Sequence, residues 1–211
     1  MQYLTEYREF YRQFRTRYQT TGSILPSSRA LARALTRPLR NLPGPRRILE
    51  IGPGTGAVTA EIVRHLRPGD QFDIVEINGD FVAYLGQRFE NEPDFRKYRE
   101  LSHILHSPLQ DVPGQAVYDI MISGLPLNNF SLSLVEDIYA SYERLLKPTG
   151  TLSCFEYAWI RQMKSPFVGS AERDRLREIT SYLQEKIRRY QIDEELVLLN
   201  VPPAVARHLR F

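Results

Sequence analysis

The chain has 211 residues, 42% of them hydrophobic and 25% charged, which fits one globular domain with a core large enough to need no staples. Its single cysteine, Cys154, excludes an internal disulfide and a multi-cysteine zinc site. The net charge of +3 is unevenly spread: residues 1–47 hold ten Arg and two Glu and the remainder is mildly acidic, a distribution that points to a polyanionic partner, either nucleic acid or an anionic membrane surface.

The first predicted element is a helix. Tyr3, Leu4, Tyr7, Phe10, Tyr11, Phe14 and Tyr18 recur at three- and four-residue steps, while Arg8, Arg12, Arg15 and Arg17 fall elsewhere. An aromatic, arginine-rich amphipathic helix of this kind can lie in a membrane interface; the other reading is an aromatic face packed on the protein's own core. Gly22 and Pro26 end it. Ser27 and Ser28 read as caps of a short helix carrying Ala30, Leu31, Ala34 and Leu35, stopped by Pro38. Residues 1–45 are therefore expected to form an N-terminal capping segment and residues 46–211 the main domain.

From Arg46 onward short apolar strands alternate with amphipathic helices. Strands are predicted at Ile48–Ile51, Phe72–Glu76, Leu101–Leu105, Val117–Ile122, Thr151–Trp159 and Leu196–Val201, with Lys147–Gly150 as a turn and 170–189 as a charged helix. This order implies an α/β fold with a mostly parallel central sheet and helices on both faces. No apolar run approaches the ~20 residues that span a bilayer. The first ten residues lack the apolar centre of a signal peptide, so a cytoplasmic location is expected.

The most informative stretch is Glu50-Ile51-Gly52-Pro53-Gly54-Thr55-Gly56, between a strand and a helix. Glycines serve where the chain turns tightly and a ligand approaches the backbone closely. Glu76 ends the next strand, where a carboxylate can accept hydrogen bonds from ribose hydroxyls. Gly52-x-Gly54-x-x-Ala57 formally satisfies a dinucleotide fingerprint, but Glu50 before the first glycine and Gly56 after the second give a spacing that resembles the first motif of class I S-adenosylmethionine-dependent methyltransferases.

Three further stretches narrow the resemblance: Thr21–Ala32 with its Leu-Pro-Ser-Ser-Arg core, Ile122-Ser123-Gly124-Leu125-Pro126, and Asn200-Val201-Pro202-Pro203-Ala204. Together with Glu50–Gly56 and Val75-Glu76-Ile77-Asn78, they resemble the bacterial phospholipid N-methyltransferases, over about residues 20–204. That resemblance implies a Rossmann-like fold, S-adenosyl-L-methionine as cofactor, and methylation of the amine of phosphatidylethanolamine or, in close relatives, of ornithine lipid. It also implies peripheral attachment to the cytoplasmic membrane through an N-terminal amphipathic helix. Cofactor contacts are expected from Glu50, Gly52, Pro53, Gly54, Gly56, Glu76, Ile77 and Ser123. The chain departs from the family pattern after the third strand, where Asp111 is the nearest acid and is the candidate for the adenine.

The reacting amine is expected beside Ser123, Gly124, Leu125 and Pro126, at the carboxyl end of the fourth strand. Tyr157, Trp159 and Tyr18 can hold a methylated ammonium by cation–π attraction, with ordinary packing as their alternative. Glu156 is a candidate proton acceptor, on the opposite sheet face from Tyr157. Ser27, Ser28 and Arg29 offer a phosphate contact, as does Arg161, although plain capping accounts equally for the serines. His103 and His106 would face opposite sides of a strand, and no metal is expected. The main alternative is methylation of a nucleic-acid base, such as an rRNA adenine. Enzymes of that type place Asn or Asp and then an aromatic around the proline of the fourth motif, and Ser123-Gly124-Leu125-Pro126-Leu127 has neither. A non-catalytic module that binds the cofactor or a membrane is a further reading.

Overall fold

A computed structural model describes Thr5, Tyr7, residues 28–158 and residues 170–211. Helix α1 (Arg29–Thr36) runs into a 3-10 turn over Arg37–Arg40. Then follow β1 (Arg47–Ile51), α2 (Ala57–Val63), β2 (Gln71–Glu76), α3 (Gly79–Asn91) and β3 (Ser102–His106). The second half contains β4 (Tyr118–Ser123), α4 (Leu132–Leu145), β5 (Leu146–Tyr157), α5 (Ser170–Tyr190), β6 (Gln191–Val197) and β7 (Ala204–Leu209). The seven strands form one sheet in the order β3-β2-β1-β4-β5-β7-β6. The first five run parallel, and β7 is antiparallel to both β5 and β6. Strand order reverses between β1 and β4, the point at which open parallel sheets leave a crevice beyond their carboxyl ends.

Alternation along the strands feeds two cores. Ile48, Phe72, Ile74, Ile120 and Ile122 face Leu31, Leu35, Ile62, Leu85 and Phe89 of α1–α3. Leu49, Ile51, Val75 and Met121 face Val135, Ile138, Tyr142 and Ile179 of α4 and α5. The expected N-terminal segment thus contributes to the main core from α1 onward, with Leu39 packed in the same cluster as Ile48. The fully buried Arg46 fixes this junction. Its guanidinium donates to Asp70, to the carbonyl of Leu39 at 2.6 Å and to that of His65 at 2.6 Å, the multiple satisfaction a buried cation requires.

Two predicted strand boundaries need correction. Lys147–Gly150 does not separate β5 from what precedes it: Leu146 already pairs with Tyr118, and Lys147–Gly150 is an irregularity within β5 before Thr151 pairs with Ile120. The strand predicted at Leu196–Val201 takes in only the last two residues of β6; residues 198–203 form a turn, and β7 follows beyond the predicted span. Ile192–Leu196 lies exposed on the sheet edge, so β6 carries no buried apolar pattern, and β7 is built on small Ala204 and Ala206 and on buried His208.

Candidate functional site

The sharpest geometry lies at the carboxyl ends of β1, β2 and β4. Gly52 and Gly124 extend the strand ladders, with the Gly52 N–H donating to Val75 O at 3.0 Å and the Gly124 N–H to Ile51 O at 2.8 Å. The chain then turns through positive φ at Gly52 (64°), Gly54 (56°) and Gly56 (79°), a region that L side chains rarely enter. The loops after β1 and β4 touch: a Cβ on Gly124 would sit 2.6 Å from the carbonyl oxygen of Gly52, and one on Gly52 would meet Leu125. At Gly54 a Cβ would meet nothing within 4 Å, so that backbone is open to a ligand.

Glu76 stitches the loops after β1 and β2 together. Its carboxylate accepts from the Gly54 N–H at 3.3 Å and from the Asn78 N–H at 2.8 Å. Asn78 in turn caps α3, accepting from Asp80 N and Phe81 N. Behind the turn, Arg88 of α3 donates to the carbonyls of Thr55 (2.9 Å) and Gly56 (3.0 Å), pairs with Glu92, and lies 4.1 Å over the Phe95 ring.

Glu50 is buried on the α2 face of β1, and neither carboxylate oxygen has a hydrogen-bond partner among the described residues. Burial pushes its pKa up to about 8; neighbouring Thr59 offsets part of that effect and the charge of Glu76 adds to it. A buried carboxyl beside a glycine turn, with no cation paired to it among the described residues, is suited to a ligand ammonium group.

After β3 the exposed group is Asp111, while the preceding Gln110 holds its side-chain amide buried with neither atom partnered among the described residues. Arg144 fastens this loop through the carbonyls of Gln110, Val112 and Gly114. His106 Nε2 lies 3.2 Å from the Ile77 carbonyl, tying the ends of β2 and β3 together. In the loop after β4, Ser123 points into the core, its hydroxyl 2.7 Å from the Tyr142 hydroxyl and 3.3 Å from the Leu125 N–H. Ser123 therefore shapes the loop from behind.

The remaining candidates diverge. Tyr157 is half-buried against Phe155 on the α1 face, and burial raises its phenol pKa. Glu156 lies on the other face and accepts from Arg207 Nε at 2.9 Å. Ser28 caps α1, its hydroxyl accepting from Leu31 N at 3.1 Å, and Arg29 is exposed beside it. Tyr7 departs from the expected lipid-facing set: it is 2% exposed and packs edge-on to Phe130, with ring centroids 5.4 Å apart. A ring buried there is not available to a bilayer in this arrangement. Tyr3, Leu4, Phe10, Tyr11, Phe14, Tyr18, Ser27, Trp159 and Arg161 lie outside the described residues.

Gly52, Gly54, Gly56, Glu50, Glu76 and the Ser123–Pro126 loop thus lie together at the carboxyl ends of β1, β2 and β4. Arg88 and Tyr142 brace these loops from behind and were missed, as was the buried amide of Gln110 after β3. Arg88 and Tyr142 act across the fold with no local motif to mark them, and Gln110 was passed over for the acid next to it.

Comparison with known proteins agrees with this geometry. Among solved structures, the chain superposes on the 1,6-didemethyltoxoflavin-N1-methyltransferase of Burkholderia thailandensis with a TM-score of 0.66 at 18% identity, covering 99% of this chain and 88% of that one. It also superposes on the O-methyltransferase TomG of Streptomyces achromogenes with a TM-score of 0.58 at 15% identity, covering 86% of this chain and 78% of that one. The chain has the class I methyltransferase fold. In sequence it is 30% identical over 131 residues to an ornithine lipid N-methyltransferase of Singulisphaera acidiphila, covering 59% of this chain and 66% of that protein, just under two thirds of its length. It is 43% identical over 53 residues to ribosomal RNA small subunit methyltransferase A of Pseudomonas fluorescens, a quarter of this chain and 18% of that protein. No family model matches. The methyltransferase fold does not by itself fix the reaction, since the [4+2]-cyclase SpnF shares it with a TM-score of 0.62 at 15% identity, covering 86% of this chain and 80% of that one. Among the described residues no helix is long and apolar enough to cross a membrane, and no cluster of His, Cys, Asp and Glu is arranged to hold a metal.

Proposed function

We propose that this chain is an S-adenosylmethionine-dependent N-methyltransferase of the amine head group of a membrane lipid. The observation that carries the reading is the 131-residue similarity to an ornithine lipid N-methyltransferase, joined to a glycine turn with an open Gly54 and two buried carboxyls. That relative favours ornithine lipid as the first substrate to test. Phosphatidylethanolamine, which the sequence motifs imply, is the second.

S-adenosylmethionine would supply an electrophilic methyl carbon to the lipid nitrogen's lone pair, its C–S electrons remaining on sulfur and the nitrogen's spare proton passing to water. The chain's part is to bind and align. Glu76, at the end of β2 beside Gly54, would meet the ribose hydroxyls, Glu50 would take the ammonium group, and the buried Gln110 amide suits an adenine edge better than exposed Asp111 does. The loop Gly124–Pro126, braced by Ser123 and Tyr142 from behind, receives the amine. Glu156 is held in an ion pair with Arg207, and much of the rate would come from alignment and dehydration of the reactants.

An rRNA base is the second reading, supported by the short ribosomal methyltransferase match. That match covers only a quarter of the chain, and the stretch Ser123–Leu127 around the proline lacks the amide and the aromatic expected there for base amines. The deciding experiment is expression in a bacterial host that makes both ornithine lipid and phosphatidylethanolamine unmethylated, followed by mass spectrometry of the lipids. One or more added methyl groups on either lipid supports the reading. Unchanged lipids in cells holding folded, cofactor-binding protein overturn it.

A further inference from the structure

The turn between β6 and β7 is exposed and apolar. Leu198 is 62% exposed, Leu199 81% and Val201 70%, and Leu196 just before them 53%. Exposed apolar residues scattered singly need no explanation, but four within six positions form a patch.

This turn is built rather than loose. Asn200, in its middle, is 4% exposed. Its Oδ1 accepts from the Ser28 N–H at 2.9 Å, and its Nδ2 donates to the Pro202 carbonyl at 2.8 Å. The Ala158 N–H, just past the end of β5, donates to the Pro203 carbonyl at 2.7 Å. One polar side chain thus faces inward and holds the backbone, while its three apolar neighbours face outward.

Its position matters as much as its composition. Ala204 pairs with Tyr157 at the carboxyl end of β5, so the turn rises from the same rim as the glycine turn, Glu76 and Ser123–Pro126. β7 is two strands from β4, roughly 10 Å at ordinary strand spacing. The charges around the turn are sorted. Asp193 and Glu195 pair with Arg37, and Glu194 pairs with Arg207. Arg29 and Arg33, one helical turn apart on α1 and starting next to the Ser28–Asn200 contact, are exposed. An apolar tip with exposed arginines beside it complements an anionic bilayer, whose interface takes up apolar side chains and whose surface attracts basic ones.

We propose that Leu198, Leu199 and Val201 form a membrane-inserting tip that seats the rim of the site on an anionic lipid surface. The proposal rests on the lipid-methyltransferase reading. It adds a contact point separate from the aromatic N-terminal residues, and it explains how a head-group amine can be presented to the crevice without the lipid leaving the bilayer.

The test uses the full chain and vesicles of phosphatidylethanolamine, ornithine lipid and phosphatidylglycerol. The double variant L198D/L199D is expected to bind vesicles at least tenfold more weakly than the wild type and to lose vesicle turnover in proportion, with its melting temperature and its affinity for S-adenosylhomocysteine unchanged. Independently, L199C labelled with an environment-sensitive fluorophore is expected to brighten on adding vesicles. Buried Cys154, its thiol pKa pushed up to about 12 by burial, stays unlabelled. Wild-type vesicle binding in the double variant, or a probe that stays dark while the protein is bound, overturns the proposal and leaves the lipid reading standing. A lowered melting temperature with vesicle binding intact also overturns it, because the tip would then be covered by the chain itself. If the wild type methylates neither lipid, in vesicles or in mixed micelles, the underlying reading fails instead.

Discussion

The backbone N–H of Ser28 donates to Oδ1 of Asn200 at 2.9 Å, across 172 positions of sequence. This bond joins two of the stretches that carried the family resemblance, Leu-Pro-Ser-Ser-Arg and Asn-Val-Pro-Pro-Ala, at the rim of the sheet. The start of α1 and the β6–β7 turn are therefore one structural unit, and Asn200 is its keystone. Asn200→Ala is expected to destabilise the protein by about 1–3 kcal/mol, the usual cost of leaving a buried donor without its acceptor. Asn200→Asp keeps the acceptor for Ser28 but sets a buried carboxylate oxygen against the Pro202 carbonyl, and is expected to lose at least as much. Urea unfolding measures both, and an unchanged midpoint for Asn200→Ala would remove Asn200 from that role.

Gly54 and Gly124 are both motif glycines, but they are needed for different reasons. Gly124 has no room: an added Cβ meets the Gly52 carbonyl at 2.6 Å. Gly124→Ala is expected to cost about 1–3 kcal/mol of stability through overpacking and to disturb cofactor binding as a consequence. Gly54 has room but a φ of +56°. Gly54→Ala is expected to cost about 1 kcal/mol in backbone strain while weakening S-adenosylhomocysteine binding more than tenfold, since the new methyl group occupies the open side of the loop. Thermal unfolding and calorimetric titration together separate the two cases, and equal binding losses at equal stability would contradict the distinction.

Glu50 and His208 give pH dependences of opposite sign. Glu50 titrates at about 8 in the folded protein against 4.5 otherwise, so the folded state holds the extra proton between those values and stability falls as pH rises through them. The loss by pH 7 is about 3 kcal/mol at one unit's worth of free energy per pH unit. His208, buried beside Ser153 with its Nδ1 2.8 Å from the hydroxyl, has its pKa lowered to about 4 by burial and by the charge of Arg37. There the unfolded state holds the extra proton, so stability falls as pH drops from 6.5 to 4. The two slopes oppose each other between pH 4.5 and 6.5. Glu50→Gln is expected to raise apo stability at pH 8, and His208→Asn to flatten the acid limb.

The same carboxyl makes a binding prediction. If Glu50 ionises against the cofactor's ammonium group, binding releases a proton near neutral pH. The apparent enthalpy of S-adenosylhomocysteine binding should then vary with the ionisation enthalpy of the buffer, and that variation should vanish in Glu50→Gln together with at least tenfold in affinity. A buffer-independent enthalpy in the wild type would place the ammonium elsewhere.

Gln110 replaces Asp111 as the group expected to read the adenine. Gln110→Leu is expected to weaken S-adenosylhomocysteine binding about tenfold, the loss of one to two buried hydrogen bonds, and Asp111→Asn to change it less than twofold. Direct titration decides between them, and the reverse ranking would restore Asp111.

The glycine turn and Glu76 were legible in the sequence because backbone conformation and strand ends impose residue types that few other demands impose. The existence of β1 to β5 and a mostly parallel sheet followed from the alternation of strands and helices, whereas the strand order, with β1 between β2 and β4, came from the structure. β6 escaped because an exposed edge strand, Ile192–Leu196, has no apolar face to show. Arg88 escaped because its contacts, Thr55 and Gly56, lie more than thirty positions away. Tyr7 illustrates a different limit: three- and four-residue spacing reports an apolar helix face but not what covers it, and for Tyr7 the cover is Phe130.

The most direct test of lipid N-methylation is incubation of the full chain with methyl-labelled S-adenosylmethionine and vesicles, one set containing ornithine lipid and the other phosphatidylethanolamine, each with phosphatidylglycerol, followed by thin-layer separation. Label migrating with methylated ornithine lipid or methylated phosphatidylethanolamine, and absent from Glu76→Ala, is the predicted result. No label in either lipid from protein shown to bind the cofactor, with label instead appearing in added ribosomal RNA, would contradict the account.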